Sequence, residues 1–184
     1  MINKIGVLTS GGDAPGMNAA IRGVTRYAIQ KGLTVEGIIR GYEGLLSHET
    51  RPLGRRDVGA IIHRGGTMLR TARCLEFKEK ETQKKAVAYL RELEIDALVV
   101  IGGDGSMRGA QALSRLGFPT ITIPGTIDND MMGTQYTLGF DTTVNTVLES
   151  VNKIRDTAFS HDRVADIEVM GPNAGFIALN ACLP

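Results

Sequence analysis

Acidic side chains stand among glycines in three short loops of this sequence. The first loop reads Gly11-Gly12-Asp13-Ala14-Pro15-Gly16, the second Gly102-Gly103-Asp104-Gly105-Ser106, and the third Pro124-Gly125-Thr126-Ile127-Asp128-Asn129-Asp130. Glycine lets backbone N–H groups approach an anion closely, and carboxylates bind hard cations such as Mg²⁺. Loops of this composition are typical of sites that bind a polyphosphate together with its metal ion.

The second loop carries the clearest chemical signal. A carboxylate at Asp104, between two glycines, is a poor choice for packing but suits a Mg²⁺ ion that phosphate oxygens also hold. The alternative is that Asp104 is a helix N-cap. Standard phosphate motifs do not account for these loops. Met17 and Asn18 stand where a Walker A loop has Lys and Ser/Thr, and Arg108 breaks the sixth position of G-x-G-x-x-G.

The third loop contains more acidic residues than a turn requires. A turn uses Pro124 and Gly125, but it does not need Asp128 and Asp130 two residues apart. Phosphoryl transfer needs a base for the acceptor hydroxyl and donors that position the moving group. Asp128 is the candidate base, and Thr126 is a candidate donor to the phosphoryl group. The alternative is that one carboxylate caps the approach to the following helix, although capping does not need both.

Alternating strands and helices must position these loops. Apolar, β-rich runs predict strands at 4–10, 34–42, 96–101, 119–123 and 164–170. Helical patterns occur at 19–32, 79–95, 110–117, about 142–158 and from 174 onward, with a short helix within 55–73 that runs into a Gly-rich turn. In the first helix Ala20, Ile21, Val24, Tyr27 and Ala28 recur at helical spacing, and Gly32 is placed to end it.

This order predicts a doubly wound, mostly parallel sheet in a three-layer α/β/α sandwich of Rossmann-like type. The continuous apolar run at 96–101 is typical of a parallel strand that is buried on both faces. Open α/β sheets bind ligands at the carboxyl ends of their strands. The three loops follow three predicted strands, so we expect them to meet at that edge.

Composition excludes several other classes of protein. The 184 residues include 21 basic and 20 acidic side chains, giving a net charge of +1, which indicates neither a nucleic-acid partner nor a membrane surface. No apolar run approaches 18 residues, and the start lacks the apolar region of a signal peptide. Cys74 and Cys182 are too few for a disulfide framework or a zinc site. We therefore expect a cytoplasmic protein with two reduced thiols.

Five segments resemble the 6-phosphofructokinase family in the same order and at similar spacing: GVLTSGGDAPGMNAAIRG, RGGT, VVIGGDGS, PGTIDND and SHDR…EVMG. They run from about residue 2 to residue 180. The resemblance implies transfer of the γ-phosphate of ATP to the 1-hydroxyl of fructose 6-phosphate in glycolysis, with Mg²⁺ as the cofactor. It also implies a cytoplasmic homo-oligomer, a tetramer, with ADP or another nucleotide as a possible allosteric effector.

The resemblance also assigns roles to residues by their matching positions. It places ATP binding on Gly11, Gly12, Arg73, Cys74, Gly103, Asp104, Gly105 and Ser106, with Asp104 as the magnesium residue. It places the sugar phosphate on Thr126, Ile127, Asp128, Asp130, Met170 and Gly171, and on Arg163, which matches an arginine that reaches the sugar phosphate of a neighbouring subunit. Catalytic roles fall on Asp128, as proton acceptor, and on Thr126 and Gly12. The effector site falls on Arg22, Arg26, Arg55 and Arg155; apart from the resemblance, these arginines are typical of solvated helix faces.

Two glycines bear on the phosphate donor. The pyrophosphate-dependent branch of the family carries Asp at the position of Gly105 and Lys at the position of Gly125. A carboxylate at 105 would collide with and repel the α-phosphate of a nucleotide, whereas glycine leaves room. The resemblance therefore favours ATP over pyrophosphate.

Two departures from the family pattern affect the acceptor half. Pro172 stands where the family has a sugar-binding arginine after Met170-Gly171, and proline offers neither a cation nor an N–H group. The family's chain is also much longer. We therefore expect residues 1–184 to be an ATP-binding α/β domain that continues at about 140–184 into the start of the sugar-phosphate region. By itself this chain is expected to have weak activity or none.

Three other functions compete with the kinase interpretation. A non-catalytic nucleotide-binding or regulatory module would keep the donor site and lack the acceptor site. A lipid or nicotinamide-nucleotide kinase would share the GGDG turn but leave PGTIDND unexplained. A dehydrogenase lacks support because the glycine fingerprint of dinucleotide binding is missing.

Overall fold

Six strands form one sheet in the order β3-β2-β1-β4-β5-β6 in the computed structural model, which describes residues 2–171 and 173–182. The strands are β1 (Lys4–Ser10), β2 (Thr34–Ile38), β3 (Thr50–Pro52), β4 (Ala97–Gly102), β5 (Thr120–Thr126) and β6 (Leu138–Gly139). The helices are α1 (Met17–Gln30), α2 (Gly41–Leu46), α3 (Lys80–Glu92), α4 (Asp104–Arg115), α5 (Phe140–Ser160) and α6 (Phe176–Cys182). A 3₁₀ helix spans Leu75–Lys78. Every neighbouring pair is parallel except β2 and β3, which are antiparallel.

The central strand β4 shows why the sheet has helices on both sides. Successive side chains of a strand point to opposite faces. Leu98 and Val100 pack into one core with residues of α2, α3 and α4, while Val99 and Ile101 pack into a second core with α1. This arrangement confirms the predicted three-layer sandwich and the doubly buried strand.

Helix α1 buries a slightly different stripe from the one its apolar residues predict. Met17, Ile21, Thr25 and Ala28 are buried, whereas Tyr27 is 62% exposed. The buried residues recur at i, i+4 and i+7 from Ile21, and this spacing leaves Tyr27 on another side of the helix. The apolar ring of Tyr27 therefore suggests burial that the helix geometry does not give. The predicted end of the helix is correct: α1 ends at Gln30 and Gly32 follows with a positive φ of 81°.

Two predictions for the chain after β2 begins are wrong. The second strand ends at Ile38 instead of running to residue 42, because Arg40 and Gly41 adopt left-handed conformations that turn the chain into α2. The segment 55–73 contains turns and no helix. Three of its apolar side chains, Val58, Ile61 and Leu69, are nevertheless buried in the core beside α1.

The loop boundaries at β4 and β5 also differ from the prediction. Helix α4 begins at Asp104, six residues before the predicted start at 110. Strand β5 continues through Pro124 and Gly125 to Thr126, so these residues lie in a strand and the chain turns only after them. β5 is also less buried than a central strand, since Ile121 is 66% exposed.

The predicted strand at 164–170 is absent from the described ranges, where this segment is irregular and Val164 is 99% exposed. A strand requires a neighbour that pairs with its backbone groups. β6 lies at the end of the sheet but pairs only with Gly125 and Thr126 of β5.

None of the helices over residues 2–171 and 173–182 is long and apolar enough to cross a membrane.

Candidate active site

A cavity of about 930 Å³ lies at the carboxyl ends of β1, β4 and β5, and residues from all three glycine-containing loops line it. This main cavity confirms that the sheet brings the loops together. Four carboxylates and three cationic side chains line it: Asp13, Asp104, Asp128, Asp130, Arg73, Lys78 and Arg108. Because the carboxylates outnumber the cations, an anionic ligand binds there more favourably when a cation accompanies it. A polyphosphate that carries a divalent cation meets this requirement.

The first loop has the backbone geometry of a tight phosphate-binding turn. Gly11 and Gly16 have φ values of 86° and 91°, conformations that favour glycine. Gly11 and Gly12 both line the main cavity. A side chain at Gly12 would meet nothing within 4 Å, so the backbone of this residue faces open space.

The structure rejects the N-cap interpretation of Asp104. Gly103 occupies the N-cap position, Asp104 is the first residue of α4, and no side-chain cap hydrogen bond is present. Asp104 instead lies against the main cavity, where its Oδ2 is 2.9 Å from Nε of Arg108. A carboxylate in the first turn of a helix also gains from the helix dipole.

The magnesium assignment fits Asp104 only if phosphate oxygens complete the site. Among residues 2–171 and 173–182, no group of three or more His, Cys, Asp or Glu side chains could hold a metal ion. Mg²⁺ in phosphoryl-transfer sites is commonly bound by one or two carboxylates, phosphate oxygens and water. Asp104, exposed in the cavity wall, can supply one such carboxylate.

Ser106 connects the second loop to the first. Its hydroxyl, which is buried, donates to the carbonyl oxygen of Ser10 at 2.8 Å, and its own carbonyl accepts the Tyr42 hydroxyl at 2.7 Å. The hydrogen bond to Ser10 joins the ends of β1 and β4. The two loops are therefore held in fixed relative positions.

The third loop presents both carboxylates to the main cavity. Asp128 and Asp130 line it, and burial raises the pKa of Asp128, with the neighbouring charge of Asp130 adding to the increase. Between them Asn129 has a φ of 51° and accepts the Thr137 N–H at 2.8 Å. Neither carboxylate caps α5, whose N-cap is Gly139 and which has no side-chain cap bond.

The chain beyond α5 returns to this third loop. Met170 lines the main cavity, and a Cβ atom added at Gly171 would lie 3.4 Å from Oδ1 of Asp128. Met170 therefore faces the main cavity and Gly171 lies beside Asp128, while their roles in binding the sugar phosphate stay predictions. Arg163 is exposed and does not line the main cavity. Pro172 lies outside the described residues.

Two aromatic residues of the main cavity, Tyr42 and Phe77, were not predicted from the sequence. Tyr42 and Phe77 stack with ring centroids 4.1 Å apart and line the main cavity together with Arg73 and Cys74. Burial raises the pKa of the Tyr42 phenol and also that of the Cys74 thiol, so both groups stay protonated at neutral pH. A stacked aromatic pair beside a glycine-rich phosphate loop can accommodate a nucleotide base.

Only two of the four predicted effector residues line a common cavity. Arg26 and Arg55 line a second cavity of about 300 Å³ with Tyr27 and Gln30. Arg22 does not line this cavity, since its guanidinium donates to the Val58 carbonyl. Arg155 lies exposed on α5 and is not part of the lining either.

Comparisons with known proteins agree with the geometry. A sequence model of the family described as "Phosphofructokinase" matches residues 4–184. ATP-dependent 6-phosphofructokinase 1 of Clostridium perfringens is 58% identical over 98% of this chain, and ATP-dependent 6-phosphofructokinase of Clostridium tetani is 62% identical over 99%. The match covers 56% and 57% of those proteins, so this chain spans little more than half their length.

Solved structures share the fold. The phosphofructokinase structure from Saccharomyces cerevisiae superposes with a TM-score of 0.89 and 39% identity, over 97% of this chain and 27% of that one. A pyrophosphate-dependent phosphofructokinase from Nitrosospira multiformis gives a TM-score of 0.87 at 21% identity, over 97% of this chain and 49% of that one, which shows similarity of fold alone.

Proposed function

The chain belongs to the phosphofructokinase family, and we propose that it forms the ATP-binding portion of an ATP-dependent 6-phosphofructokinase. In this reaction the 1-hydroxyl oxygen of fructose 6-phosphate forms a bond to the γ-phosphorus of ATP. The bond from that phosphorus to the β,γ-bridging oxygen breaks, and ADP leaves. The observation that supports this function best is the main cavity, in which Asp104 and Asp128 face a common space.

The donor half of the main cavity would bind the nucleotide. The backbone N–H groups of the first loop and the cation of Arg73 offer donors to phosphate oxygens. Tyr42 and Phe77 are largely buried but line the main cavity, and they would form part of the apolar wall that receives the base. Asp104 would hold Mg²⁺ together with phosphate oxygens, and the bound ion would offset negative charge on the transferring group.

The acceptor half would activate the sugar hydroxyl. Asp128 is the proposed base because it lines the main cavity and because burial raises its pKa. A raised pKa makes a carboxylate a stronger acceptor for the hydroxyl proton. Thr126, whose hydroxyl accepts the Asp128 N–H at 3.3 Å, is placed beside this base and is the proposed donor to the moving phosphoryl group.

Open space around Gly105 supports ATP as the donor. A Cβ atom added at this position would meet nothing within 4 Å, so the cavity continues there. Gly125 is different: a Cβ atom there would lie 3.3 Å from Ile101 and 3.4 Å from Met17, so its glycine also serves packing. Gly105 is therefore the better indicator of donor specificity.

We test the donor site by isothermal titration of the folded chain with Mg·ATP and, separately, with Mg·pyrophosphate. We expect saturable binding of Mg·ATP that is lost in Asp104→Ala and is not competed by pyrophosphate. A folded chain that binds neither ligand would refute the proposed donor site.

A regulatory nucleotide-binding module is the second candidate function. It is favoured by Pro172, which stands where the family has a sugar-binding arginine and offers no cation to the sugar phosphate. Steady ADP formation that depends on fructose 6-phosphate would refute this alternative. Binding of ATP with no such turnover, even after extension of the chain, would favour it.

Regulation and assembly belong to the same proposal. Arg26 and Arg55 supply two cations to the second cavity, which can attract a nucleotide phosphate. We propose that a nucleotide effector such as ADP binds there in a homo-oligomer, a tetramer by resemblance. Titration with ADP in Arg26→Ala, compared with Asp104→Ala, would separate this cavity from the donor site.

A further inference from the structure

We propose that Thr71 is a positioning residue that sets the orientation of the Gly11–Gly12 peptide in the phosphate-binding loop. This inference rests on the proposed function, because it concerns how the donor half of the main cavity binds ATP. Thr71 itself does not line the main cavity. Any effect of this residue on nucleotide affinity must therefore act through the residues that it holds.

A hydrogen bond links Thr71 to the loop. Its Oγ1 donates to the carbonyl oxygen of Gly11 at 2.6 Å, and the side chain is partly buried. The Gly11 carbonyl and the Gly12 N–H belong to one planar trans peptide, so they point in opposite directions. Since the carbonyl is directed toward Thr71, the Gly12 N–H is directed away from Thr71. Gly12 lines the main cavity, where this N–H can serve a phosphate oxygen.

Glycine on both sides of this peptide explains why an external bond is needed. Glycine populates positive and negative φ about equally, so a Gly-Gly peptide can rotate at little cost. Gly11 already has a φ of 86°, and a Cβ atom at Gly12 would touch nothing within 4 Å. An added Cβ at Gly11 would lie 3.3 Å from Ser106 Oγ, so packing limits the Gly11 side of the peptide, while the Thr71 hydroxyl fixes its carbonyl by a hydrogen bond.

The segment that carries Thr71 is itself firmly held, although 64–74 has no helix or strand. Buried Asn18 donates to the carbonyls of Arg64 and Gly65 at 3.1 and 3.3 Å and accepts the Met68 N–H at 2.7 Å. The Thr9 hydroxyl donates to the Arg70 carbonyl at 2.8 Å. These four hydrogen bonds hold the segment that carries Thr71, and Thr71 in turn donates to the Gly11 carbonyl.

The experiment compares Thr71→Val with Thr71→Ser in this chain. Valine keeps the shape of threonine and removes the donor, whereas serine keeps the donor. We expect Thr71→Val to weaken Mg·ATP binding about threefold to tenfold, the range for one lost hydrogen bond, and Thr71→Ser to stay within about twofold of the original. Amide hydrogen exchange at residues 10–14 should rise in the valine variant alone.

Thr120→Val is the matched control. The Thr120 hydroxyl donates to the Ala110 carbonyl at 3.2 Å, at the amino end of β5 and away from the main cavity. The Thr120→Val variant should leave the affinity for Mg·ATP unchanged. A folded Thr71→Val chain that binds Mg·ATP as tightly as the original would overturn the role of Thr71 alone. An original chain that binds no Mg·ATP would overturn the proposed donor site and the role of Thr71 with it.

Discussion

Asp128, the proposed base, lies where its negative charge is unfavourable for stability. Burial raises its pKa, and the charge of Asp130 raises it further. A carboxyl whose pKa is higher in the folded than in the unfolded state favours folding most when it is protonated, and that contribution is lost as the pH rises through the folded pKa. At neutral pH the ionised Asp128 therefore reduces the free energy of unfolding.

We predict that Asp128→Asn raises the thermal midpoint at pH 7 while abolishing phosphoryl transfer in an active form of the enzyme. The gain in midpoint should shrink as the pH falls toward the ordinary range of an aspartate, where the original side chain is also neutral. Thermal unfolding at pH 7 and pH 4 measures this. An Asp128→Asn variant less stable than the original at pH 7 would contradict this prediction. The control is Asp130→Asn, which removes the neighbouring charge and so lowers the pKa of Asp128.

Gly105 provides a second prediction at the residue scale. Gly105→Asp should weaken Mg·ATP binding at least tenfold, because it places a carboxylate in open cavity space beside the phosphates of the nucleotide. Gly105→Ala is the control: its Cβ meets no atom within 4 Å, so its affinity should change little. Titration calorimetry measures the affinity of both variants for Mg·ATP. Equal losses of affinity would mean that steric bulk, not charge, excludes the nucleotide.

Residue type was sufficient to find the acidic part of the site. Asp104 and Asp128 stand out in sequence because packing does not explain carboxylates next to glycines. Tyr42 and Thr71 could not be identified in this way, because a tyrosine and a threonine are ordinary residues whose roles depend on partners 35 or more positions away. The presence of Tyr42 and Phe77 among only nine Tyr and Phe residues offered a weak signal.

At the scale of elements, the close approach of β1 and β4 determines the position of the loops. Gly102 ends β4 beside Ser10, and a Cβ atom there would lie 2.4 Å from the Ser10 carbonyl oxygen and 2.5 Å from Ser106 Oγ. Contacts that short force the backbone to shift. Glycine at this position therefore allows the two strand ends, and the loops that follow them, to lie together.

We predict that Gly102→Ala lowers the free energy of unfolding by about 1–3 kcal/mol, the usual cost of overpacking. Gly23→Ala on α1 is a useful control, because no atom lies within 4 Å of an added Cβ and alanine favours helix. It should raise the free energy of unfolding by about 0.5–1 kcal/mol. Urea denaturation of both variants gives the comparison, and a Gly102→Ala variant as stable as the original would show that the strand ends can separate without cost.

The elements that sequence predicted well are those whose apolar pattern already shows which faces are buried. The apolar run of β4 and the amphipathic pattern of α3 needed no further information. The turn into α2 depends on a left-handed Arg40, which composition does not favour, and the segment 164–170 has strand-like residues but pairs with no strand in the described part of the chain. Pairing is a property of the sheet, so residue preferences alone predicted a strand there wrongly.

At the scale of the whole molecule, the cores are unequal in size. Two large clusters pack against the sheet, whereas α5 and α6 share a small cluster of three buried residues, Phe140, Val144 and Ile177. Phe159 on α5 is 86% exposed. The donor half of the main cavity therefore rests on well-packed elements, and the acceptor half includes Met170 and Gly171 from the more weakly packed region.

This asymmetry predicts that nucleotide binding and turnover can be separated. We expect this chain by itself to bind Mg·ATP but to form little or no ADP on addition of fructose 6-phosphate. Joining it to the part of the Clostridium tetani relative that lies beyond the matched 57% should leave the dissociation constant for Mg·ATP within a few-fold and produce turnover that depends on fructose 6-phosphate. Calorimetry and a coupled assay for ADP measure the two properties on the same preparations.

The joined chain also tests Pro172. Pro172→Arg should increase its turnover, because an arginine adds a charge-assisted contact to the sugar phosphate or the transferring group, a contribution on the order of 2–4 kcal/mol and thus about 30-fold to 1000-fold. Pro172→Ala removes the ring without adding a cation and is the matched control. Because donor affinity depends on loops at the ends of β1 and β4, none of these changes should alter it. A joined chain that binds Mg·ATP but stays inactive even as the Pro172→Arg variant would argue for a regulatory role instead of a kinase.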